Sequence, residues 1–369
     1  MQSSILRILL LCLSTIDFIS VSAQLITAPD GGNKQAMVGE RIGITDVTIH
    51  YNRPRVKKRE GKIWGELIQV GFTDQGFGNT STAPWRAGAN ENTTIEFTTA
   101  VMVEGKPLPS GKYGFFIAYD SLSSTLIFSK NSSSWGSFFY NPAEDALRLN
   151  VKPEKKDSSE EWLQFNFTDQ TDSSATIVLQ WEKRAIPFTI MVDVIATQLE
   201  SFRKELRSDK GFIFQTWSQA AQWCVQKNTN LDQALQWADS ATSENFGGSR
   251  NFHSWHTKSL VLEKLGRAAE SEAATKKALI FGGQIDLLGY AEQIKDSSKA
   301  MEIYKLNYQR YPDDFYTNYG MAEGYSRLKN FKKALEYARK SLILAPDPVL
   351  KTYVSKQIKI LEEGKDFTK

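Results

Sequence analysis

The sequence is poor in the residues that build disulfide frameworks and metal centres. Among its 369 residues are 2 cysteines and 3 histidines, and Cys12 falls in the apolar stretch at the start of the chain. Cys224 would then be the single cysteine of an exported chain, which excludes an internal disulfide. No acidic or cysteine partner recurs at ligand spacing near His253 and His256. We therefore predict no metal site and no cofactor.

Charge of one sign and catalytic motifs are also scarce. The net charge of +3 gives no reason to expect nucleic acid as a partner, because that would need a clustered basic surface. The chain contains no Gly-x-Ser-x-Gly, His-Glu-x-x-His or phosphate-loop pattern. After the first residues no apolar run is long enough to span a membrane. The composition leaves enzymatic activity undecided and favours a binding role.

What is present at the start of the chain is a leader pattern. "MQSSILRILLLCLSTIDFISVSAQ" combines Arg7, an apolar run and a small-residue exit at Ala23. This pattern predicts a secretory signal peptide over residues 1–23, cleaved after Ala23. The alternative is a signal anchor, but the run is short for a span of about 20 residues. We expect the processed protein to be periplasmic, attached to the cell envelope or secreted.

Before residue 195, apolar and polar residues alternate. In "IPFTIMVDV" the shared face consists of Ile186, Phe188, Ile190, Val192 and Val194. Further short strands are predicted at "KYGFFIAY", "STLIFSK", "DALRLNVK", "WLQFNF" and "ATIVLQW". Eight or more short strands at this spacing predict an antiparallel β-sandwich or barrel over residues 27–195.

Two local signals refine this prediction. In "RIGITDVTIHY" the apolar residues change parity, which predicts a bulge or bend near Thr45–Asp46. "VMVEGK" ends at Glu104–Lys106, which predicts a hairpin turn.

After residue 195 the period becomes helical and the sequence repeats. Residues 318–346, "NYGMAEGYSRLKNFKKALEYARKSLILAP", resemble a tetratricopeptide repeat, and a second copy lies 34 residues earlier. Two weaker copies centre on Ser271 and Ala234. Small residues in such a repeat let paired helices approach closely. The fold class predicted is thus α+β in two separate domains, with four tetratricopeptide-like helix pairs over residues 196–365. The resemblance implies a groove for a protein or peptide partner, with Tyr319 and Tyr325 as first candidates.

The first domain resembles the bacterial secreted family DUF2911. The resemblance depends on Tyr-x-Arg-Pro followed by Lys-Arg, Trp-Arg-x-Gly-Ala-Asn-Glu, Leu-Pro-x-Gly-x-Tyr and Trp-Gly. The matching residues are Tyr51, Arg53, Pro54, Lys58, Arg59, Trp85, Arg86, Gly88, Ala89, Asn90, Glu91, Leu108, Pro109, Gly111, Tyr113, Trp135 and Gly136. The stretch before Trp85, "GFTDQGFGNTSTAP", is longer than the family pattern. The resemblance implies a fold and a compartment outside the cytoplasm, and no reaction.

One polar-aromatic set within this pattern is the candidate ligand site. Its members are Arg53, Lys58, Arg59, Trp85, Arg86, Asn90 and Trp135. An arginine offers a planar fork for carboxylate, sulfate or phosphate, and a tryptophan offers a flat face for a sugar ring. In the alternative interpretation the set is structural: Arg86 stacks on a tryptophan and binds loop carbonyls, while Gly88 and Asn90 form the turn.

Two functions follow from these patterns. The favoured one is an extracytoplasmic binding or scaffold protein, whose first domain recognises a glycan or anionic envelope component and whose helices dock a protein. The alternative is a carbohydrate-active or other hydrolytic enzyme. It would need two carboxyl groups about 5–10 Å apart across one cleft, and the sequence nominates no such pair.

Overall fold

The computed structural model of the protein describes residues 32–78 and 82–368. The predicted signal peptide, 1–23, lies outside the described residues. The chain divides into two compact units, one ending at Thr197 and the other beginning at Gln198. Within the described residues, the structure has no helix with the length and hydropathy needed to cross a membrane.

The first unit contains two antiparallel sheets. A six-stranded sheet has the order β1-β2-β3-β6-β7-β8, and a four-stranded sheet has the order β5-β4-β10-β9. The strands are β1 Lys34–Ile42, β2 Thr45–Arg53, β3 Thr93–Phe97, β4 Val101–Val103, β5 Lys106–Leu108, β6 Gly111–Ala118, β7 Ser124–Ser129, β8 Asp145–Val151, β9 Glu154–Thr168 and β10 Ser174–Met191. We call this region, residues 34–191, the β-domain.

The core of the β-domain lies between the two sheets. Phe115 of β6 stacks on Phe188 of β10, with ring centroids 5.4 Å apart, and Tyr51 of β2 meets Phe165 of β9 edge-on at 4.8 Å. All four rings belong to one buried cluster. The antiparallel β-fold predicted from the alternation is confirmed. It is a sandwich, because among the described strands the sheets do not close into a barrel.

The irregularity predicted near Thr45–Asp46 is a turn between two strands. Ile42 pairs with Thr45 across the β1–β2 hairpin, so Gly43 and Ile44 form a two-residue connection. Gly43 has φ of +60°, which glycine adopts at no steric cost. The predicted bulge near Thr45–Asp46 is therefore wrong, since the change of parity marks the end of one strand and the start of the next. The predicted turn at Glu104–Gly105 is confirmed, because Val103 pairs with Lys106.

β10 is one long strand where the sequence predicted two. Odd-numbered residues are buried up to Trp181, and even-numbered residues are buried from Ile186 to Ile190. The register shifts on both sides of Glu182, which has φ of +49°. An extra residue at this bulge exchanges the two faces of the strand, and the exchange looks like a strand boundary in the sequence. Val194 was predicted on the strand and instead begins a helix.

The described residues of the second part of the chain form ten α-helices. They are α1 Val194–Glu205, α2 Phe214–Lys227, α3 Leu231–Ala241, α4 Phe252–Lys264, α5 Ala268–Phe281, α6 Gln284–Gln293, α7 Ser297–Arg310, α8 Phe315–Arg327, α9 Phe331–Leu344 and α10 Pro348–Glu362. Helices α2 to α9 form four consecutive hairpins. Small residues of the repeats are fully buried at Ala234, Ala238, Ala291, Ala300, Ala322 and Ala334. The predicted tetratricopeptide-like array is confirmed.

Candidate functional site

A cleft of about 440 Å³ opens on the β-domain. Most of its lining comes from the long connection between β2 and β3, and β10 contributes Trp181. Side chains that matter for its chemistry are Arg59, Thr73, Asp74, Trp85, Arg86 and Trp181. We call it the β-domain cleft. Loops that connect the strands of a rigid sandwich are suitable positions for a ligand site.

Trp85 is a half-buried side chain fixed on several sides. Its backbone makes two hydrogen bonds with Ile117 of β6, at 2.9 and 2.8 Å. Its indole stacks on Trp181 with centroids 6.3 Å apart, and Trp64 meets it edge-on at 5.6 Å. Its Nε1 donates to the Gly88 carbonyl at 3.0 Å. The ring is therefore a rigid apolar surface that lines the cleft.

The turn that follows Trp85 has a structural purpose. Ala87 and Asn90 have φ of +49° and +58°. A Cβ on Gly88 would lie 2.9 Å from Thr93 Oγ1, so this position accepts only glycine without movement of its neighbour. The Asn90 amide donates to Asn52 Oδ1 at 3.3 Å. These residues shape the turn, and Asn90 does not line the cleft.

Arg86 carries a positive charge that no carboxylate among the described residues pairs with. The guanidinium lies over the Phe138 ring, 5.8 Å from the centroid, and lines the cleft. Its Nε is buried without a hydrogen-bond partner, and none of its nitrogens forms an ion pair among the described residues. Burial lowers the pKa of Arg86 from its usual value. Gly136, with φ of +64°, leaves room for the guanidinium, since a Cβ there would overlap Nη1.

Trp181 supplies a second donor without an acceptor. The side chain is 1% exposed and lines the cleft, and its Nε1 has no hydrogen-bond partner. The neighbouring Glu182 accepts a hydrogen bond from the Gly61 amide at 3.0 Å, which ties the β10 bulge to the β2–β3 connection. Two residues that line the cleft thus each carry a buried donor, and the described residues offer an acceptor to neither.

Of the four remaining predicted residues, one lines the cleft and three do not. Arg59 lines the cleft, and its Nε and Nη2 donate to the carbonyls of Val56 and Arg55 at 2.9 and 2.6 Å. Arg53 donates to the Leu163 carbonyl at 2.8 Å and belongs to the packing of β2 on β9. Lys58 and Trp135 are exposed and do not line the cleft.

Two aromatic residues and one carboxylate, in or beside the cleft, were missed by the sequence reasoning. Trp64 contacts Trp85, Trp181 lies on β10, and Asp74 is the one carboxylate among the described lining residues. The parity change around Glu182 was a usable signal for Trp181, because bulges often re-aim side chains next to sites. No local pattern singled out Trp64 or Asp74.

His253, His256 and Cys224 lie on helices of the array. His253 Nε2 lies 3.1 Å from Asp286 Oδ1, whereas His256 stacks on Phe252 and burial lowers its pKa. Cys224 is fully buried, and burial raises the pKa of its thiol to about 11. In the described part of the chain, no group of three or more ligating side chains converges on a metal position.

Residues 33–190 match the model of the DUF2911 family. The family is described as a protein of unknown function, so the match confirms the predicted resemblance and assigns no reaction. The search of curated proteins found no match.

Several solved structures are similar to the chain through its tetratricopeptide-like helices. One is YrrB, described as a TPR protein with an unusual peptide-binding site, with 15% identity, 46% of this chain and 88% of that chain covered, and a TM-score of 0.27. A second is the Cut9–Hcn1 hetero-tetramer of APC/C, with 11% identity, 45% of this chain and 33% of that chain covered, and a TM-score of 0.30. A third is MamA from Desulfovibrio magneticus RS-1, with 14% identity, 41% of this chain and 90% of that chain covered, and a TM-score of 0.26.

Proposed function

We propose that the protein is an extracytoplasmic binding protein whose β-domain cleft holds an anionic ligand and whose helical array docks a polypeptide. The observation that carries the first part is the pair of buried donors, Arg86 Nε and Trp181 Nε1, without acceptors. A buried donor left unpaired costs about 1–3 kcal/mol, and more when it is charged. An oxygen-bearing anion in the cleft would remove that cost.

The cleft favours a particular ligand chemistry. A guanidinium binds carboxylate, sulfate or phosphate oxygens through parallel N–H donors. Trp85 adds a flat apolar face that suits a sugar ring, and Thr73 and Gln75 add polar groups to the lining. A phosphorylated or sulfated glycan of the cell envelope combines these features. Hydrolysis by a carboxyl pair is less well supported, since Asp74 is the one carboxylate in the described lining.

A ligand titration tests the cleft. Glucose-6-phosphate and glucose are added to the purified protein at constant ionic strength, and the thermal midpoint is followed. We expect the phosphate to raise the midpoint and glucose to leave it unchanged, because binding to the native state stabilises it. Arg86→Met should abolish the rise, while Arg41→Met, at an exposed arginine of the same domain, should keep it. Equal responses of the two variants would refute the assignment of Arg86.

The extracytoplasmic location is supported by the leader pattern of residues 1–23. Mass spectrometry of the protein isolated from its own cells tests it. We expect a processed amino terminus at Gln24 in the material outside the cytoplasm. Recovery of chains that retain Met1 in the cytoplasm would contradict this part of the proposal.

Polypeptide docking is supported by the four consecutive helical hairpins, since stacked helical repeats create extended binding surfaces. A peptide array probed with the purified protein tests this part. We expect binding to a subset of sequences that competes with the same peptides in solution. An array with no specific binder would contradict docking and would leave the β-domain cleft proposal standing.

A further inference from the structure

The helical array contains its own pocket, of about 420 Å³. The side chains that determine its chemistry are Glu292, Tyr304, Tyr319, Glu323, Arg327 and Tyr353. They come from α6, α7, α8 and α10. We call it the glutamate–tyrosine pocket. Sequence reasoning had nominated Tyr319 as a groove residue, and the structure places it here.

Two glycines of α8 position the Tyr304 ring. A Cβ on Gly320 would lie 2.8 Å from Tyr304 Cδ1, and a Cβ on Gly324 would lie 2.8 Å from Cδ2. Because these glycines are one helical turn apart, they leave a shallow surface on which the ring packs closely. The Tyr304 hydroxyl then donates to Glu323 Oε2 at 3.1 Å.

Glu292 and Glu323 lie on the first helices of two consecutive hairpins. Each is the ninth residue of the first helix of its hairpin, α6 and α8 respectively. Both side chains line the pocket, and the charge of Glu292 raises the pKa of Glu323. Glu323 is 9% exposed, whereas Glu292 lies at the open mouth of the pocket. Neither forms an ion pair among the described residues.

The nearby cations do not neutralise the two carboxyl groups. Arg327 directs its guanidinium to carbonyls at the end of α6, including Ala291 at 3.2 Å and Lys295 at 3.3 Å, and also to that of Ile294. The Lys295 side chain is exposed and lines the edge of the pocket. Arg327 therefore fixes the loop beside the carboxyl pair and is held by backbone oxygens.

The titration of the pair follows from its surroundings. Burial and the charge of Glu292 raise the pKa of Glu323 to about 7, although the hydroxyls of Tyr304 and Tyr319 and the charge of Arg327 act in the opposite direction. Burial also raises the pKa of Glu292. Near neutral pH Glu323 thus still takes up a proton, which removes its repulsion with Glu292.

We propose that the glutamate–tyrosine pocket receives the cationic side chain of a lysine or arginine from the docked polypeptide. A cation can replace the proton on Glu323 and offset the negative charges of both carboxylates. Tyr319 and Tyr353, whose hydroxyls lie 3.2 Å apart, present aromatic rings beside that position, and such rings attract cations. This inference rests on the proposed docking of a polypeptide by the helical array.

The test uses small cationic probes, so that it does not depend on knowing the partner. N-acetyl-arginine amide and N-acetyl-lysine amide are titrated into the purified protein by calorimetry, with N-acetyl-citrulline amide as the uncharged analogue of arginine. We expect the cationic probes to bind and the citrulline probe not to bind. Binding should be about tenfold tighter near pH 8 than near pH 6, because protons compete with the cation for Glu323. Equal binding of the arginine and citrulline probes would overturn the proposal.

Matched variants locate the binding. Glu323→Gln keeps an acceptor for Tyr304 and should weaken cation binding at least about tenfold, a change of 1.4 kcal/mol. Glu292→Gln, at the exposed mouth, should do the same without a threat to folding, and it decides the matter if the first variant fails to fold. Glu302→Gln, at an exposed glutamate of α7, should bind like the parent protein. Unchanged affinity in Glu292→Gln would overturn the proposal.

The peptide array separates this inference from the proposed function. Specific binders whose affinity depends on a lysine or arginine, and drops in Glu323→Gln, support both. Specific binders that are insensitive to Glu323→Gln uphold docking and overturn the pocket assignment. If the array finds no binder, docking fails, and the probe titration alone decides whether the pocket takes a cation.

Discussion

The two pockets of this chain hold buried charges of opposite sign. The β-domain cleft contains Arg86, whose Nε has no acceptor, and the glutamate–tyrosine pocket contains Glu323 beside Glu292 with no ion pair to either carboxylate among the described residues. An arginine cannot discharge itself at accessible pH, whereas a carboxylic acid can take up a proton. The first pocket therefore carries a fixed charge, and the second carries a charge that depends on pH.

The difference also concerns how each charge is fixed. The Arg86 guanidinium packs against the Phe138 ring and fills the space that a side chain at position 136 would take. Glu323 is held by the Tyr304 hydroxyl, which the glycines of α8 position. A charge confined by packing needs an external partner, while a charge held by hydrogen bonds has part of its solvation restored inside the protein. We expect Arg86 to depend more strongly on a ligand than Glu323 does.

The largest expected effect tests whether the cleft is part of the β-domain core. Trp181→Ala removes a side chain that is 1% exposed and should lower the free energy of unfolding by about 3–5 kcal/mol. Urea denaturation measures it. Trp135→Ala, at a tryptophan that is 57% exposed, should change the free energy by less than about 0.5 kcal/mol. Similar losses in both variants would show that the cleft aromatics are not core residues.

The second effect tests the pH dependence of the helical pocket. The pKa of Glu323 is raised from 4.5 to about 7, so the folded protein retains a proton that the unfolded chain has released. Stability should therefore fall as the pH rises from about 4.5 to about 7, by on the order of 3 kcal/mol. Glu323→Gln should remove this fall and be more stable than the parent near pH 8. A parallel pH profile for parent and variant in urea denaturation would contradict the raised pKa.

The third effect tests whether the charge in the β-domain cleft is independent of pH, unlike that of the helical pocket. Arg86→Met replaces an unmatched buried charge with an apolar side chain next to Phe138 and should raise the free energy of unfolding by about 1–2 kcal/mol. The gain should be the same from near pH 5 to near pH 9, because the arginine stays charged over this range. Destabilisation by this variant, without ligand, would show that Arg86 has a structural role.

The smallest effect concerns the mouth of the helical pocket. Tyr353→Phe removes one hydroxyl, which lies 3.2 Å from that of Tyr319, from a side chain that is 47% exposed. The free energy of unfolding should fall by less than about 1 kcal/mol, since an exposed hydroxyl exchanges its partner for water. A thermal melt of the two proteins measures it. A larger loss would show that Tyr353 supports the array itself.

Much of the fold could be predicted from periodicity. Alternation located the strands and helical spacing located the four hairpins, because both patterns report which face is buried. The two errors in the predicted strands have one cause. At Gly43 and at Glu182 the burial parity changes, and the same change arises from a turn between strands or from a bulge within one strand. Parity alone cannot distinguish these, since the choice depends on what the strand pairs with.

The candidate sites were only partly predictable. The Trp-Arg pair was found because an aromatic residue beside a fixed cation in a loop is unusual, and Arg59 came with it. Trp181 reaches the same cleft from a strand distant in sequence, which no local pattern reveals. In the helical array, Glu323 stands between Ala322 and Gly324 on a face that packs closely, so an acidic residue there was a signal that the sequence reasoning did not use.

A crystal structure of the protein with glucose-6-phosphate tests most directly whether the β-domain cleft binds an anion through Arg86. We expect a phosphate oxygen within about 3.2 Å of Arg86 Nε, with the sugar ring against Trp85. A structure in which the phosphate binds elsewhere, while the Arg86 guanidinium remains without a ligand acceptor, would contradict it.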